Sequence, residues 1–170
     1  MFSVSCYSQF LDVEDVSWRK KSCGIVALKM ILDYWNVRMS ACDALIKEGI
    51  KSRAYMKDVG WTHKGLVALA KKYNLKGRNF DWFGNSPEAA FRKMEKYLRL
   101  YPIMASVHKD FDLRNNGHLI VLTGLVNSNI FYNDPDFKER ENIRQKVSLG
   151  KFLKGWKRRI IVVYPKDYSI

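Results

Sequence analysis

An α+β fold is predicted for this 170-residue chain by the order in which two hydrophobic patterns occur. Up to about residue 100, apolar side chains recur at helical spacing; after Pro102 they fall into short β-branched and aliphatic runs divided by turn residues. Within the first half, SCGIVALKMILDYW at 22–35 is apolar almost throughout, the pattern of a helix covered on every side and packed against a sheet.

Taken in order, that apolar run predicts a central helix ending at Asn36, a residue that tolerates the left-handed turn closing a helix. Ser40 is placed to cap a second helix from about Ala41 to Glu48, with Gly49 as its stop. Leu66, Leu69, Ala70 and Tyr73 share one helical face in residues 64–73. Ser86, Pro87 and Glu88 form a helix start, and the run continues to about Leu100. IMASV at 103–107, HLIVLTGLV at 118–126 and IFYND at 130–134 then read as successive antiparallel strands. Ser148 caps a short helix reaching Trp156, and IIVVY at 160–164 is the last strand. No internal repeat is visible, and residues 1–170 are expected to form one domain.

Composition narrows the function classes. The start of the chain lacks the charged, apolar and small-residue order of a secretion signal, and no apolar run reaches membrane-spanning length. A soluble protein is expected, cytoplasmic or exported by a route the sequence does not display. Three cysteines, Cys6, Cys23 and Cys42, make no disulfide framework, so a free thiol is expected. No cysteine or histidine pair has metal-ligand spacing, and no glycine-rich phosphate loop follows a strand. Lysine and arginine number 30 against 17 acidic residues, a net charge of +13. Residues 138–159 hold nine of those cations against Glu139 and Glu141. Such a segment is either a solvated face or a grip on an anionic partner. Phe80, Trp82 and Phe83 beside Arg78 suit a hydrophobic loop over a cleft better than a base-stacking platform, so nucleic acid is not the expected partner. Trp61 and Trp82 are candidates for the wall of a substrate groove.

Cys23 is the residue with chemistry to offer. At the start of a helix, its sulfur faces unpaired backbone N–H groups and the positive end of the macrodipole, both of which favour the thiolate. Gly24 leaves room for a substrate, and Arg19 to Lys21 add positive charge. A thiolate nucleophile needs a base. Of His63, His108 and His118, the last opens a strand behind the turn Asn115–Asn116–Gly117, at the rim of the sheet; the other two suit exposed surface positions. Asp134, at the end of the following strand, is the natural third member, with Asp136, Asp110 and Asp112 as substitutes. A tight turn at 127–129 places Asp134 opposite Val121 or Leu122, about 10 Å along the strand from His118, so a bulge or a change of direction at Pro135 is needed.

YSQ at 7–9, Trp18, SCGIVALKMILDYW, GHLIVLTGL at 117–125 and NDP at 133–135 together resemble the C39-like cysteine peptidases of the papain-like fold. The resemblance covers residues 4–165. It implies a thiol hydrolase with Cys23 as nucleophile, His118 as base, Asp134 as orienting acid and Gln9 as a donor to the oxyanion, acting on a peptide or protein without a cofactor. Members best known for removing leader peptides do so inside an exporter. No transporter segment accompanies this chain, so that substrate is not expected to carry over. Cell-wall amidases, deamidases, acyltransferases and toxin-type effectors share the triad. An inactive basic module binding nucleic acid or an acidic protein is the alternative from a different class.

Overall fold

The computed structural model describes residues 1–37 and 41–168. Helix α1 spans Cys23–Tyr34, α2 Cys42–Lys51 and α3 His63–Lys71, with a small hairpin of β1 (Tyr55–Met56) and β2 (Gly60–Trp61) between α2 and α3. Strand β3 (Leu75–Asp81) and helix α4 (Pro87–Leu98) precede β4 (Ile103–His108), β5 (Gly117–Val126), β6 (Asn129–Asn133) and β7 (Arg144–Ser148). Helix α5 (Leu149–Gly155) and β8 (Trp156–Pro165) close the chain. The six long strands form one antiparallel sheet in the order β3-β8-β4-β5-β6-β7.

Alternation along the central strands sorts side chains into two cores. Met104, Leu119, Val121, Ile161 and Val163 face α1, α2 and α3. Their neighbours Ile103, Ala105, Ile120, Leu122, Ile160 and Val162 face α4 and α5. Both sheet faces are covered, which is why these strands read as continuous apolar runs. Ser86 and Ser148 cap α4 and α5 by accepting from the N–H groups of Ala89 and Lys151, and Asn36 takes the expected left-handed conformation after α1. The cap expected at Ser40 lies outside the described residues.

Three expectations need correction. Gly49 does not stop α2, which continues to Lys51 and turns at the left-handed Arg53. Its missing side chain serves packing, since a Cβ there would lie 2.5 Å from the Trp61 ring. Residues 80–83 do not form a loop over the cleft: Phe80 belongs to β3 and stacks on Trp82, whose ring packs against Trp156 on the far side of the sheet. Strands β3 and β7 carry no clear strand pattern in sequence because their exposed faces are polar, as in RQKVS at 144–148.

Gly49→Ala sets two effects against each other. Helix propensity favours alanine by about 0.5–1 kcal/mol. Overpacking against a ring held by neighbours costs about 1–3 kcal/mol. Trp61 is fixed by edge contacts with Tyr55 and by its indole N–H bonded to the Lys21 carbonyl at 2.7 Å, so the second effect wins. Urea unfolding should show a net loss of about 1 kcal/mol, whereas a stabilised variant would mean that the ring swings aside.

Candidate active site

Cys23 is the first residue of α1, and the Ser22 side chain does not cap the helix. The amide ends of the first turn are therefore left for the sulfur, and the N–H groups of Gly24 and Leu119 are hydrogen-bonded to it. Leu119 lies on β5 beside His118, so strand and helix meet at the thiol. His118 is 7% exposed. Its Nε2 lies 2.6 Å from Asp134 Oδ1, and the ring is hydrogen-bonded to Cys23 on its other side, which leaves Nδ1 for the sulfur.

The separation expected between His118 and Asp134 is closed by a bulge. Asn127 and Ser128, both left-handed, form a two-residue hairpin in which Val126 pairs with Asn129. The pairing then shifts by one residue between Leu122 and Gly124, so that Asn133 faces Val121. Asp134 thereby stands two strand positions from His118, roughly 7 Å along the strand, within side-chain reach. Its Oδ1 also accepts the N–H of Asp136 at 2.8 Å, a local turn that holds the carboxylate still. Among the substitutes, Asp112 pairs with Arg114, and Asp136 pairs with Lys109 and accepts from the Gln9 amide.

Gln9 is 4% exposed and does not line the open cleft. Its backbone N–H donates to the Pro135 carbonyl at 2.8 Å and its Nε2 to Asp136, so it is tied to the loop that carries Asp134. Its Oε1 is buried without a hydrogen-bond partner.

The charges of the pair are coupled. Burial opposes a thiolate at Cys23, but the hydrogen bond and positive charge of His118, with the two backbone N–H groups, outweigh it and hold the thiol below its ordinary pKa. Burial likewise opposes an imidazolium at His118, yet the Asp134 carboxylate and the Cys23 thiolate raise its pKa well above the usual histidine range. Both shifts act in the same direction, toward a thiolate beside an imidazolium, and the titration belongs to the pair. Cys42 differs: burial pushes its thiol up to about 12.

An open cleft of about 570 Å³ runs past Cys23 and His118, walled by Tyr55, Trp61 and His63 and flanked by Lys20, Lys21, Lys157 and Arg159. Trp61 lines it as expected, and Trp82 does not. His63 and His108, expected at exposed positions, are both half-buried. Burial, aided by the charge of Arg159, lowers the pKa of His63, so it is neutral at pH 7. His108 Nδ1 lies 3.0 Å from the Asn115 carbonyl. The room beside Gly24 is taken by Trp61 and Leu119 and not by the cleft. The sequence singles out His63 as a surface histidine and Lys157 and Arg159 as part of the basic segment, but does not place them in the cleft, whose wall is assembled from α3 and β8, far from Cys23 along the chain.

Residues 1–160 match the model of the Peptidase_C39 like family. Among solved structures, the chain is similar to the peptidase domain of Streptococcus ComA, a bi-functional ABC transporter involved in a quorum-sensing pathway: 20% identity, a TM-score of 0.67, and coverage of 98% of this chain and 100% of that one. It is similar to a C39-like protein from Bacillus anthracis at 18% identity and a TM-score of 0.68, covering 99% of this chain and 98% of that one. A double-glycine-motif protease from an AMS/PCAT transporter, solved in complex with its leader peptide, has 18% identity and a TM-score of 0.65 over 97% of this chain and 94% of that one. No curated protein matches the chain. Among the described residues no helix is long and apolar enough to cross a membrane.

Alkylation by iodoacetamide reads the thiolate, whose fraction falls only as pH drops through the lowered pKa of Cys23. The rate at Cys23 should therefore persist to lower pH than that of an ordinary thiol, with Cys42 silent. His118→Ala removes the bond and the charge that oppose burial, so the rate at pH 7 should fall about tenfold or more. A rate at Cys23 that follows an ordinary thiol, unchanged by His118→Ala, would show that the pair is not ionised.

Proposed function

Since this chain belongs to the Peptidase_C39 like family, whose members are cysteine peptidases, we propose that Cys23, His118 and Asp134 are its catalytic triad and Gln9 its oxyanion donor. The observation that carries this reading is the His118 ring, bonded to the thiol at the head of α1 on one side and to Asp134 on the other. Residues 1–170 are read as one catalytic domain, because both apolar cores lie on the same six-stranded sheet. A peptide substrate is supported by the leader peptide bound to the double-glycine-motif protease.

In the reaction the Cys23 thiolate attacks the carbonyl carbon, forming a C–S bond and moving the carbonyl π electrons onto oxygen. That oxyanion is held by the backbone N–H of Cys23 and by Gln9. The Gln9 amide has two donors; one is taken by Asp136, which fixes the plane of the amide and leaves the other for the oxyanion. Collapse breaks the C–N bond as His118 gives its proton to the departing amine. His118, now neutral, takes a proton from water as the water attacks the thioester. The second intermediate then expels the thiolate and restores the ion pair. Asp134 accepts the Nε2 proton's hydrogen bond throughout, so Nδ1 stays aimed at the sulfur.

Incubation with a diverse synthetic peptide pool, with new termini read by mass spectrometry, tests the assignment. The unaltered protein should generate new termini and Cys23→Ala none; equal yields from the two would sink the reading. Gln9→Ala should lower kcat on a cleaved peptide by about 10²–10³ while Cys23 alkylation persists, the signature of a donor that acts on the oxyanion and not on the thiol.

A further inference from the structure

Strand β8 departs from regular pairing beside the cleft. Arg159 pairs with Ser106 and Trp156 with Val107, so Lys157 and Arg158 are extra residues on β8. Arg158 is left-handed at φ 57°, a conformation an arginine holds only when its surroundings impose it. Here they do: its carbonyl accepts from the Trp82 N–H at 2.9 Å, its guanidinium donates to the Asn85 carbonyl at 3.0 Å, and it covers the Phe83 ring at 4.5 Å. Bulges re-aim side chains. This one directs Lys157 across Gly117, where its Nζ would be 2.9 Å from a Cβ, so the tip of the lysine lies over the open face of the glycine.

Gly117 adjoins His118, and Lys157 therefore stands at the reacting end of the cleft. Lys157 and Arg159 also line a second groove of about 870 Å³, on the other side of the bulge, with Trp156 as floor and the exposed Phe83 and Leu113 as rim. Together the two depressions present eight lysine and arginine side chains against four aspartates. Two of those aspartates are already engaged, Asp81 by Arg159 and Asp112 by Arg114. Lys151, Lys154 and Lys157 have no carboxylate within ion-pair distance among the described residues.

We infer that cleft and outer groove form one binding surface for an acidic stretch of the peptide substrate, with Lys157 holding a carboxylate close to the scissile bond. The inference rests on the peptidase reading and adds the substrate's chemical class. Cations with unmet charge select acidic side chains, and the apolar rim accepts the aliphatic parts of the same segment. The surface does not suit nucleic acid, whose bases need a row of open aromatic faces: Trp156 is 3% exposed, and one face of Phe83 is taken by Arg158.

The test uses Cys23→Ala protein and three fluorescent decapeptide pools alike except for three central positions, which are Glu, Gln or Lys. By anisotropy at low salt, the Glu pool should bind about tenfold more tightly than the Gln pool, a margin that shrinks as salt is added. Lys157→Glu should abolish that preference and favour the Lys pool, and Lys157→Gln should remove it without reversal. Lys151→Glu combined with Lys154→Glu should weaken Glu-pool binding several-fold, while Lys64→Glu, on α3 outside both depressions, should not. Equal binding of Glu and Gln pools, a Glu preference that survives Lys157→Glu in protein with unaltered thermal unfolding, or tighter binding of a decathymidylate overturns the proposal. Binding is read without Cys23, so failure of the peptidase reading shows separately as absent cleavage by the unaltered protein.

Discussion

Residues Gly24 to Leu32 of α1 are buried without exception, and the position of Cys23 follows from that. A helix exposed on one side can slide or roll at small cost. One enclosed by β4, β5, α2 and α3 cannot, because each displaced Leu or Ile forfeits about 1.5–3 kcal/mol of burial. The enclosure even includes a charge: Lys29 lies within the packed length, matched by Asp33 one turn on and by the Tyr7 ring. The thiol at the open end is thus carried by a rigid rod whose height against β5 is set by the core.

The sheet supplies the partners, and its irregularities aim them. The shift at Thr123 advances Asp134 by one residue toward His118, and the bulge at Lys157 and Arg158 turns a lysine across Gly117. Regular pairing would leave both side chains elsewhere. The central strands remain regular in β4 against β5, where His118 itself sits opposite Val107, so the two-sided core is kept where it holds His118 in place.

Much of this was legible in the sequence, and the legible part has a common physical cause. The apolar run of α1, the serine caps at 86 and 148 and the strands after Pro102 are local patterns, written within a few residues. Even the proximity of His118 and Asp134 could be narrowed to a strand and its return, lacking only the bulge. What escaped depends on pairing across long separations. Strand β3 pairs with β8 some 80 residues later, for example Phe80 with Ile160, and its own sequence LKGRNFD gives little sign of it. Gly24 and Gly49 looked like an opening for substrate and a helix stop. Both are notches for Trp61, a fit visible only once the small hairpin is laid over α1 and α2.

The segment before α1 has no helix or strand of its own. Its hold on the rest includes Val4 and Val13 in the core, Ser8 and Gln9 bonded to the Phe137 and Pro135 carbonyls, Asn133 donating to the Val4 and Ser5 carbonyls, and Arg140 bonding the Cys6 carbonyl and Asp12. Most of these run to the stretch at and just after the end of β6, where Asp134 lies. Gln9 is therefore placed by the same loop that carries Asp134, so a change that loosens this strap disturbs both together.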